Sequence, residues 1–167
     1  MTGGAVFSRD GRYRYRLWRR WKRSLPVVAF VMLNPSTADA QRDDPTIRRC
    51  IGFARRWGYG GIEVVNLFAL RATQPRALQL AADPVGPRNA EHLARAARRA
   101  AAVVAAWGAD PAVGVRGAEI ERRLSRRLRC LGVTRSGAPR HPLYARGAAN
   151  LVGFVNRDRS PLSVRSP

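Results

Sequence analysis

The fold class follows from one stretch of the chain, Val27-Val28-Ala29-Phe30-Val31-Met32-Leu33-Asn34-Pro35. Its seven consecutive apolar residues are typical of a central parallel strand that helices cover on both faces. The strand is expected to end at Asn34, because the residue before a proline favours extended or turn conformations. The stretch therefore predicts an α/β protein in which a polar side chain follows a buried strand.

Three further apolar runs end in the same way, at polar or glycine-bearing turns. They are residues 62–65 before Asn66, residues 103–106 before Trp107-Gly108, and the weaker run 129–133 before His141. In an open parallel sheet, ligands bind at the carboxyl ends of the strands, so the residues that follow the strands converge there. The four junctions therefore predict one functional site.

Helical segments predicted between these strands complete a strand–helix alternation. Asp44-Pro45 is typical of a helix N-cap followed by a proline at the first helical position, and this helix is expected to run to Trp57. Further helices are predicted over residues 76–82, 88–101 and 118–128, with a loop at 111–117. The expected fold is a three-layer α/β/α domain over residues 1–154, with a central four-stranded, mostly parallel sheet.

The N-terminal segment is predicted to add an edge strand or a hairpin to this sheet. Arginines alternate with aromatic or aliphatic residues over the run Arg12-Tyr13-Arg14-Tyr15-Arg16-Leu17, a period of two that is typical of a strand with one charged face. The aromatic face is expected to be buried, although interleaved arginines and aromatics also suit nucleic-acid binding. At the other terminus, residues 155–167 form a basic tail that is expected to be disordered.

The composition predicts one soluble domain. A chain of 167 residues is long enough for one domain with a core and too short for two. No run approaches the roughly 18 apolar residues that span a bilayer, and arginines stand where a signal peptide would have an apolar core. Cys50 and Cys130 form no CxxC pair, so cysteine alone builds no metal or iron–sulfur site. We therefore expect a cytoplasmic monomer with no membrane association, no metal and no cofactor.

The formal net charge of +20, with a pI near 11.8, favours a polyanionic partner, namely DNA or another nucleic acid. A second interpretation stays open. Every basic residue except Lys22 is an arginine, and alanine is abundant. A GC-rich coding sequence would give the same composition without selection for binding.

The four residues at the strand ends are the main site candidates. The amides of Asn34 and Asn66 can orient a water or read the edge of a nucleobase, although Asn34 also suits an ordinary turn. Gly108 would let the backbone approach a ligand, whereas Trp107 is expected in the core. His141, held in a stiff loop between two prolines, can stabilise a negative charge or transfer a proton.

The loops beside these residues supply further candidates. Pro35-Ser36-Thr37 offers hydroxyl and N–H groups that would bind a phosphate or cap a helix. Asp39 is a candidate acid or base, whereas Asp44 is expected to act as the N-cap. Arg140 is a candidate for substrate binding next to His141, and His92 is expected to be structural.

Six short motifs stand in a fixed order along the chain. They are Leu33-Asn34-Pro35-Ser36-Thr37-Ala38-Asp39, Asp44-Pro45-Thr46-Ile47, Trp57-Gly58-Tyr59, Val64-Val65-Asn66-Leu67, Ala106-Trp107-Gly108 and Gly137-Ala138-Pro139-Arg140-His141-Pro142-Leu143-Tyr144. The set resembles a bacterial family known only as domain of unknown function 1643, over about residues 25–150. The resemblance implies kinship and leaves the activity open.

The order of strand-end motifs is also similar, more distantly, to that of the uracil-DNA glycosylase superfamily. This resemblance implies that Asn34 positions the hydrolytic water, that Asn66 reads a flipped base and that His141 stabilises the leaving base anion. It implies DNA-backbone contacts by the arginine surface, and Phe68 is the candidate for stacking on the base. Leu143 differs from the superfamily, which commonly has a DNA-contacting serine at that place.

These observations predict a nucleic-acid-directed hydrolase of base-excision type. Two alternatives remain open. One is a protein of the same fold that binds a nucleobase or nucleic acid without chemistry. The other is an enzyme that acts on small nucleotides or phosphorylated metabolites through the Ser36-Thr37 loop.

Overall fold

The computed structural model describes residues 1–74 and 76–154, and within these residues seven strands form one sheet. The strands are β1 (Thr2–Phe7), β2 (Arg14–Arg20), β3 (Val27–Met32), β4 (Gly61–Asn66), β5 (Ala102–Ala105), β6 (Leu128–Cys130) and β7 (Val152–Gly153). Their order across the sheet is β1-β2-β4-β3-β5-β6-β7. The sheet therefore has seven strands and not four: the N-terminal hairpin, one of the two predicted alternatives, extends it at one side, and a short strand that was not predicted extends it at the other.

The four predicted strands form the centre of this sheet, and they are parallel to one another. β3 pairs with both β4 and β5, and β5 pairs with β6. The added strands all pair antiparallel, β1 with β2, β2 with β4, and β6 with β7. The register places Met32 beside Asn66 and Val31 beside Ala105, so the carboxyl ends of the central strands meet at one edge of the sheet.

Helices pack on both faces of the sheet. The helices of the described residues are α1 (Pro45–Arg56), α2 (Arg76–Leu80), α3 (Asn89–Arg99) and α4 (Gly114–Leu124). Alternate residues of β3 point to opposite faces, so Phe30 packs in the cluster that contains α1, whereas Val31 packs in the cluster that contains residues of the other three helices. The layered α/β arrangement therefore follows from one apolar strand buried on both sides.

The start of α1 confirms the prediction made from Asp44-Pro45. The Asp44 carboxylate accepts a hydrogen bond from the Ile47 N–H at 2.8 Å, and Pro45 occupies the first turn. The loop predicted at 111–117 is wrong. Asp110 caps a 3₁₀ turn at Pro111–Val113, and α4 begins directly afterwards, because Val113 packs against the core instead of facing solvent.

The N-terminal segment forms the hairpin, the second of the two predicted alternatives, but its predicted charged face is partly buried. β1 is the edge strand, and β2 lies between β1 and β4. The aromatic face of β2 is buried as predicted, with Tyr15 2% exposed. On the opposite face Arg14 and Arg19 are also buried, each 3% exposed, because both donate hydrogen bonds to the chain between residues 38 and 43.

Within the described ranges, no helix combines the length and the apolar character needed to cross a membrane. The predicted disordered tail, residues 155–167, lies outside the described residues.

Candidate functional site

A cavity of about 540 Å³ opens at the carboxyl ends of the parallel strands. Its wall contains the four predicted residues: Asn34 after β3, Asn66 at the end of β4, Gly108 after β5 and His141 after β6. Pockets of roughly 300–1,000 Å³ hold small ligands, so this volume suits a small-molecule ligand. The structure thus brings the four strand-end residues together.

The Asn34 side chain connects two backbone segments near the carboxyl end of β3. Its Nδ2 donates to the carbonyl of Pro35 at 3.1 Å and to the carbonyl of Ala72 at 2.7 Å. None of the described hydrogen bonds uses Oδ1, which leaves this oxygen as an acceptor for a water or ligand. Both donor positions of the amide are occupied, so the side chain is held in one orientation.

Asn66 is 2% exposed, and its Oδ1 is buried with no hydrogen-bond partner. A buried amide oxygen without a donor destabilises the folded protein by about 1–3 kcal/mol unless something else donates to it. The backbone at this point is held by Asn89, whose Nδ2 donates to the carbonyls of Asn66 and Leu67 at 3.0 and 2.9 Å. Because Asn66 lines the cavity, its unpaired Oδ1 is the candidate acceptor there for a ligand N–H group.

Gly108 packs the end of β5 against the loop that carries His141. Its φ is 79°, a left-handed conformation that favours glycine, and its N–H donates to the Pro139 carbonyl at 3.1 Å. A Cβ added to Gly108 would lie 3.6 Å from the Cβ of His141. The glycine thus allows the loop to lie directly beside the strand end.

The imidazole of His141 is oriented by a backbone hydrogen bond. Its Nδ1 accepts from the Leu143 N–H at 3.3 Å, so the neutral ring that satisfies this bond carries its proton on Nε2. Burial lowers the pKa of His141 below its usual value, and the nearby Asp44 carboxylate opposes that shift. At neutral pH the ring is therefore neutral and offers Nε2–H as a hydrogen-bond donor.

Tyr144, rather than Phe68, is the exposed aromatic residue of this cavity. Phe68 is 7% exposed, packs in the core and does not line the cavity, so its position does not favour the predicted stacking role. Tyr144 lines the cavity, is 77% exposed, and its ring centroid lies 5.8 Å from that of His141. Trp107 lines the same cavity but is 2% exposed, which confirms its predicted place in the core.

The loop candidates are only partly brought together. Ser36 and Arg140 line the cavity, whereas Pro35 and Thr37 do not. Asp39 also lies outside the cavity lining. Its carboxylate accepts hydrogen bonds from the N–H groups at positions 41 and 42, and these bonds lower the pKa of Asp39. Asp39 therefore stabilises its own loop, and its position does not favour a role as a general base.

Arg14 belongs to the cavity wall, although the alternation in β2 predicts that it faces solvent. The chain between Asn34 and Asp44 folds over this face, and the guanidinium donates to the Ala38 carbonyl. Thr46 and Thr73 also line the cavity and were not predicted. A contact between a strand and a loop some twenty residues later has no local pattern in the sequence, and nothing in the alternation distinguishes Arg14 from the other arginines of β2.

A second groove, lined by several arginines, lies at the opposite edge of the sheet. Its volume is about 720 Å³, and its lining includes Arg19, Arg20, Arg23 and Arg99.

Across the described residues, no three His, Cys, Asp or Glu side chains come together in a way that could hold a metal ion. His92 packs away from the cavity, with its ring centroid 5.2 Å from that of Tyr15.

Comparison with known proteins assigns the chain to a family. A family model described as "Protein of unknown function (DUF1643)" matches residues 14–143. No curated protein and no solved structure matches the chain. The matched region runs from Arg14 in β2 to Leu143 beside His141, so it contains all four strand ends and covers well over half of the chain. The chain therefore belongs to the DUF1643 family of proteins of unknown function.

Proposed function

We propose that this protein is a nucleic-acid-directed hydrolase of base-excision type, which cleaves the N-glycosidic bond of a base that has been flipped out of its strand. The observation that carries the proposal is the convergence of Asn34, Asn66, Gly108 and His141 around one cavity, with a buried Oδ1 of Asn66 that lacks a donor. A flipped base needs a pocket of this kind, since its hydrogen-bonding edge must be paired again after it leaves the duplex.

In this proposal the base enters the cavity and pairs with the amide of Asn66. Oδ1 of Asn66 accepts from an N–H of the base, and the exposed ring of Tyr144 at the cavity wall offers a stacking surface. The net charge of +20 supplies favourable contacts with the phosphate backbone outside the cavity.

The bond-breaking step uses Asn34 and His141. The C–N bond to the sugar breaks and its electron pair stays on the base, which leaves as an anion. Nε2–H of His141 donates a hydrogen bond to that developing negative charge. A water held by Oδ1 of Asn34 forms the new bond to the sugar carbon and loses its proton to solvent, because an amide does not take up a proton near neutral pH.

A second candidate function is binding of a nucleobase or nucleic acid without chemistry. The position of Asp39 favours it, since this carboxylate lies outside the cavity lining and is occupied by two backbone N–H groups. Asp44 does line the cavity, but its carboxylate caps α1. A water oriented only by an amide is a weaker nucleophile than one activated by a carboxylate.

The test is a base-release assay on single-stranded and duplex DNA that contains uracil, hypoxanthine or mismatches. The native chain is expected to produce abasic sites with at least one of these substrates. Asn34→Ala and His141→Ala are each expected to reduce turnover by about 100-fold or more while DNA binding remains. Asn150→Ala, at an exposed position outside the cavity lining, is the control and should keep full turnover.

Two results would decide against hydrolysis. If no substrate in the series yields abasic sites, the hydrolase proposal fails. If salt-sensitive DNA binding is then found and survives Asn34→Ala, the binding protein without chemistry becomes the better description.

A further inference from the structure

Arg14 places a guanidinium in the cavity wall from the strand next to β4. Its backbone N–H donates to the Ala69 carbonyl at 2.9 Å, which fixes the residue beside the chain that follows β4. Its side chain is 3% exposed and crosses to the loop after β3, where Nη1 donates to the carbonyl of Ala38. The charged group therefore lies between two segments that both line the cavity.

The charge of Arg14 is only partly satisfied by the protein. None of the described ion pairs includes Arg14, and its Nε is buried with no hydrogen-bond partner. Burial lowers the pKa of Arg14 to about 10, while Asp44 opposes the shift, so the group stays charged at neutral pH. Buried charges are normally paired and hydrogen-bonded, and because Arg14 lines the cavity, a ligand there is placed to supply a further acceptor.

Arg19, on the same strand and equally buried, shows what a satisfied arginine looks like in this protein. Its Nε pairs with the Asp43 carboxylate at 2.8 Å. Its other two nitrogens donate to three backbone carbonyls. Arg19 needs nothing from a ligand. Arg16 and Arg20 of β2 also have a buried nitrogen without a hydrogen-bond partner, but of the four arginines in β2 only Arg14 lines the cavity.

The positive charge of Arg14 affects which bases bind favourably in the cavity. Bases such as uracil and hypoxanthine carry a carbonyl beside a ring N–H, and they become anions when they lose a proton or leave a sugar. Cytosine and adenine carry an amino group beside an unprotonated ring nitrogen, and they become cations when they gain a proton. A guanidinium has donors only and a permanent positive charge, so it stabilises the first group and opposes protonation of the second.

We infer that Arg14 makes this cavity selective for oxo bases, those with a carbonyl beside a ring N–H, by placing a fixed positive charge against the ligand. The inference rests on the proposed function, since it takes the ligand to be a nucleobase. Arg14 donates to the carbonyl oxygen, and Oδ1 of Asn66 accepts from the neighbouring N–H. In the reaction proposed above, the same charge stabilises the base as it leaves with the electron pair of the broken bond.

The test compares two matched pairs of bases, each methylated at the ring nitrogen that bears the sugar in a nucleoside, by calorimetric titration of the full chain at neutral pH. Uracil differs from cytosine, and hypoxanthine from adenine, at the oxo or amino position and at the adjacent ring nitrogen. The native chain is expected to bind the oxo member of each pair at least about ten-fold more tightly, as a charge-assisted hydrogen bond would give. Arg14→Met should reduce this ratio to about three-fold or less, and Arg14→Lys should keep more of it than Arg14→Met.

The ratio within each pair separates a role in specificity from a role in folding. If Arg14 only holds the Ala38 loop, Arg14→Met would weaken both members of a pair equally and leave the ratio unchanged. That result would overturn the inference, as would equal binding of both members by the native chain. Arg14→Lys keeps the charge, so it supplies the comparison if Arg14→Met does not fold.

Further outcomes distinguish a failure of the inference from a failure of the proposed function. If bases bind with no preference that depends on Arg14, the inference fails and the nucleobase pocket stands. If no base binds, both fail. Inorganic phosphate is added as a third probe, and Arg14-dependent binding of phosphate without binding of any base would assign the cavity to a phosphorylated ligand and overturn both.

Discussion

Replacing Gly108 with alanine tests whether the end of β5 is built directly against the His141 loop. At φ 79°, an alanine costs roughly 1–2 kcal/mol in the left-handed region. The lower entropy of the unfolded alanine chain offsets roughly 0.4–1 kcal/mol of this. The added Cβ would lie 3.6 Å from the Cβ of His141, an ordinary contact that adds little. We expect a net loss of about 1 kcal/mol in the free energy of unfolding, measured by urea denaturation with an unchanged m-value.

Gly58→Ala is the matched control for this substitution. Gly58 has a φ of 82°, and an added Cβ there would meet nothing within 4 Å. The stability lost by Gly58→Ala therefore reports backbone strain alone. The two variants should agree within about 0.5 kcal/mol, and only Gly108→Ala should weaken binding of a base. A loss above roughly 3 kcal/mol for Gly108→Ala alone would mean that the added Cβ clashes, and it would refute the spacing between the strand and the loop.

Three further predictions test the stability of the fold. Asn89→Ala removes two buried hydrogen bonds to the end of β4 and should lower the free energy of unfolding by about 2–4 kcal/mol, and a loss under about 0.5 kcal/mol would contradict the role given to it. Asp44→Ala should cost about 1 kcal/mol through the lost N-cap of α1, whereas Asp44→Ser should keep most of the stability, and equal losses would argue against capping. Burial lowers the pKa of both His141 and His92 below the usual 6.5, so the unfolded chain takes up protons at a higher pH than the folded chain. Their contribution to stability is therefore full above pH 6.5 and is lost as the pH falls below it. The urea midpoint of the native chain should fall as the pH is lowered from 8 to 5. The double variant His92→Gln, His141→Gln should show a smaller fall.

The central strands and the start of α1 were predictable because their signals are local. Seven apolar residues in a row at 27–33 require burial on two faces, and Asp44-Pro45 marks a helix start within four residues. Once the strands were placed in parallel, the rule that their carboxyl ends share one edge was enough to group Asn34, Asn66 and His141. That grouping is the part of the candidate site that sequence reasoning reached.

Of the outer strands, the alternation in β2 was predictable, whereas the positions of β1 and β7 were not, because their signals depend on distant partners. β1 contains Gly3 and Gly4, which weaken any local strand signal. Gly4 is needed in the folded state, since an added Cβ would overlap the ring of Trp18 on β2. β7 has only two residues and forms by pairing with β6.

The same reason accounts for the cavity residues that sequence reasoning missed. Arg14 faces the cavity because a loop some twenty residues later folds over β2. Phe68 was the candidate for stacking that the resemblance to uracil-DNA glycosylases suggested, but its side chain packs in the core. No sequence pattern distinguishes Tyr144 from an ordinary exposed aromatic residue. Its position at the cavity wall could therefore be recognised only from the three-dimensional structure.

The central claim is that the cavity at the carboxyl ends of the strands receives a nucleobase. The most direct test is an NMR titration of the ¹⁵N-labelled chain with single-stranded DNA that contains one uracil or hypoxanthine, compared with the same DNA without it. We predict saturable shifts of the side-chain amide of Asn66 and the backbone N–H of Gly108 that depend on the added base. Shifts confined to the groove that contains Arg20 and Arg99, equal for all of the DNAs, would contradict the claim.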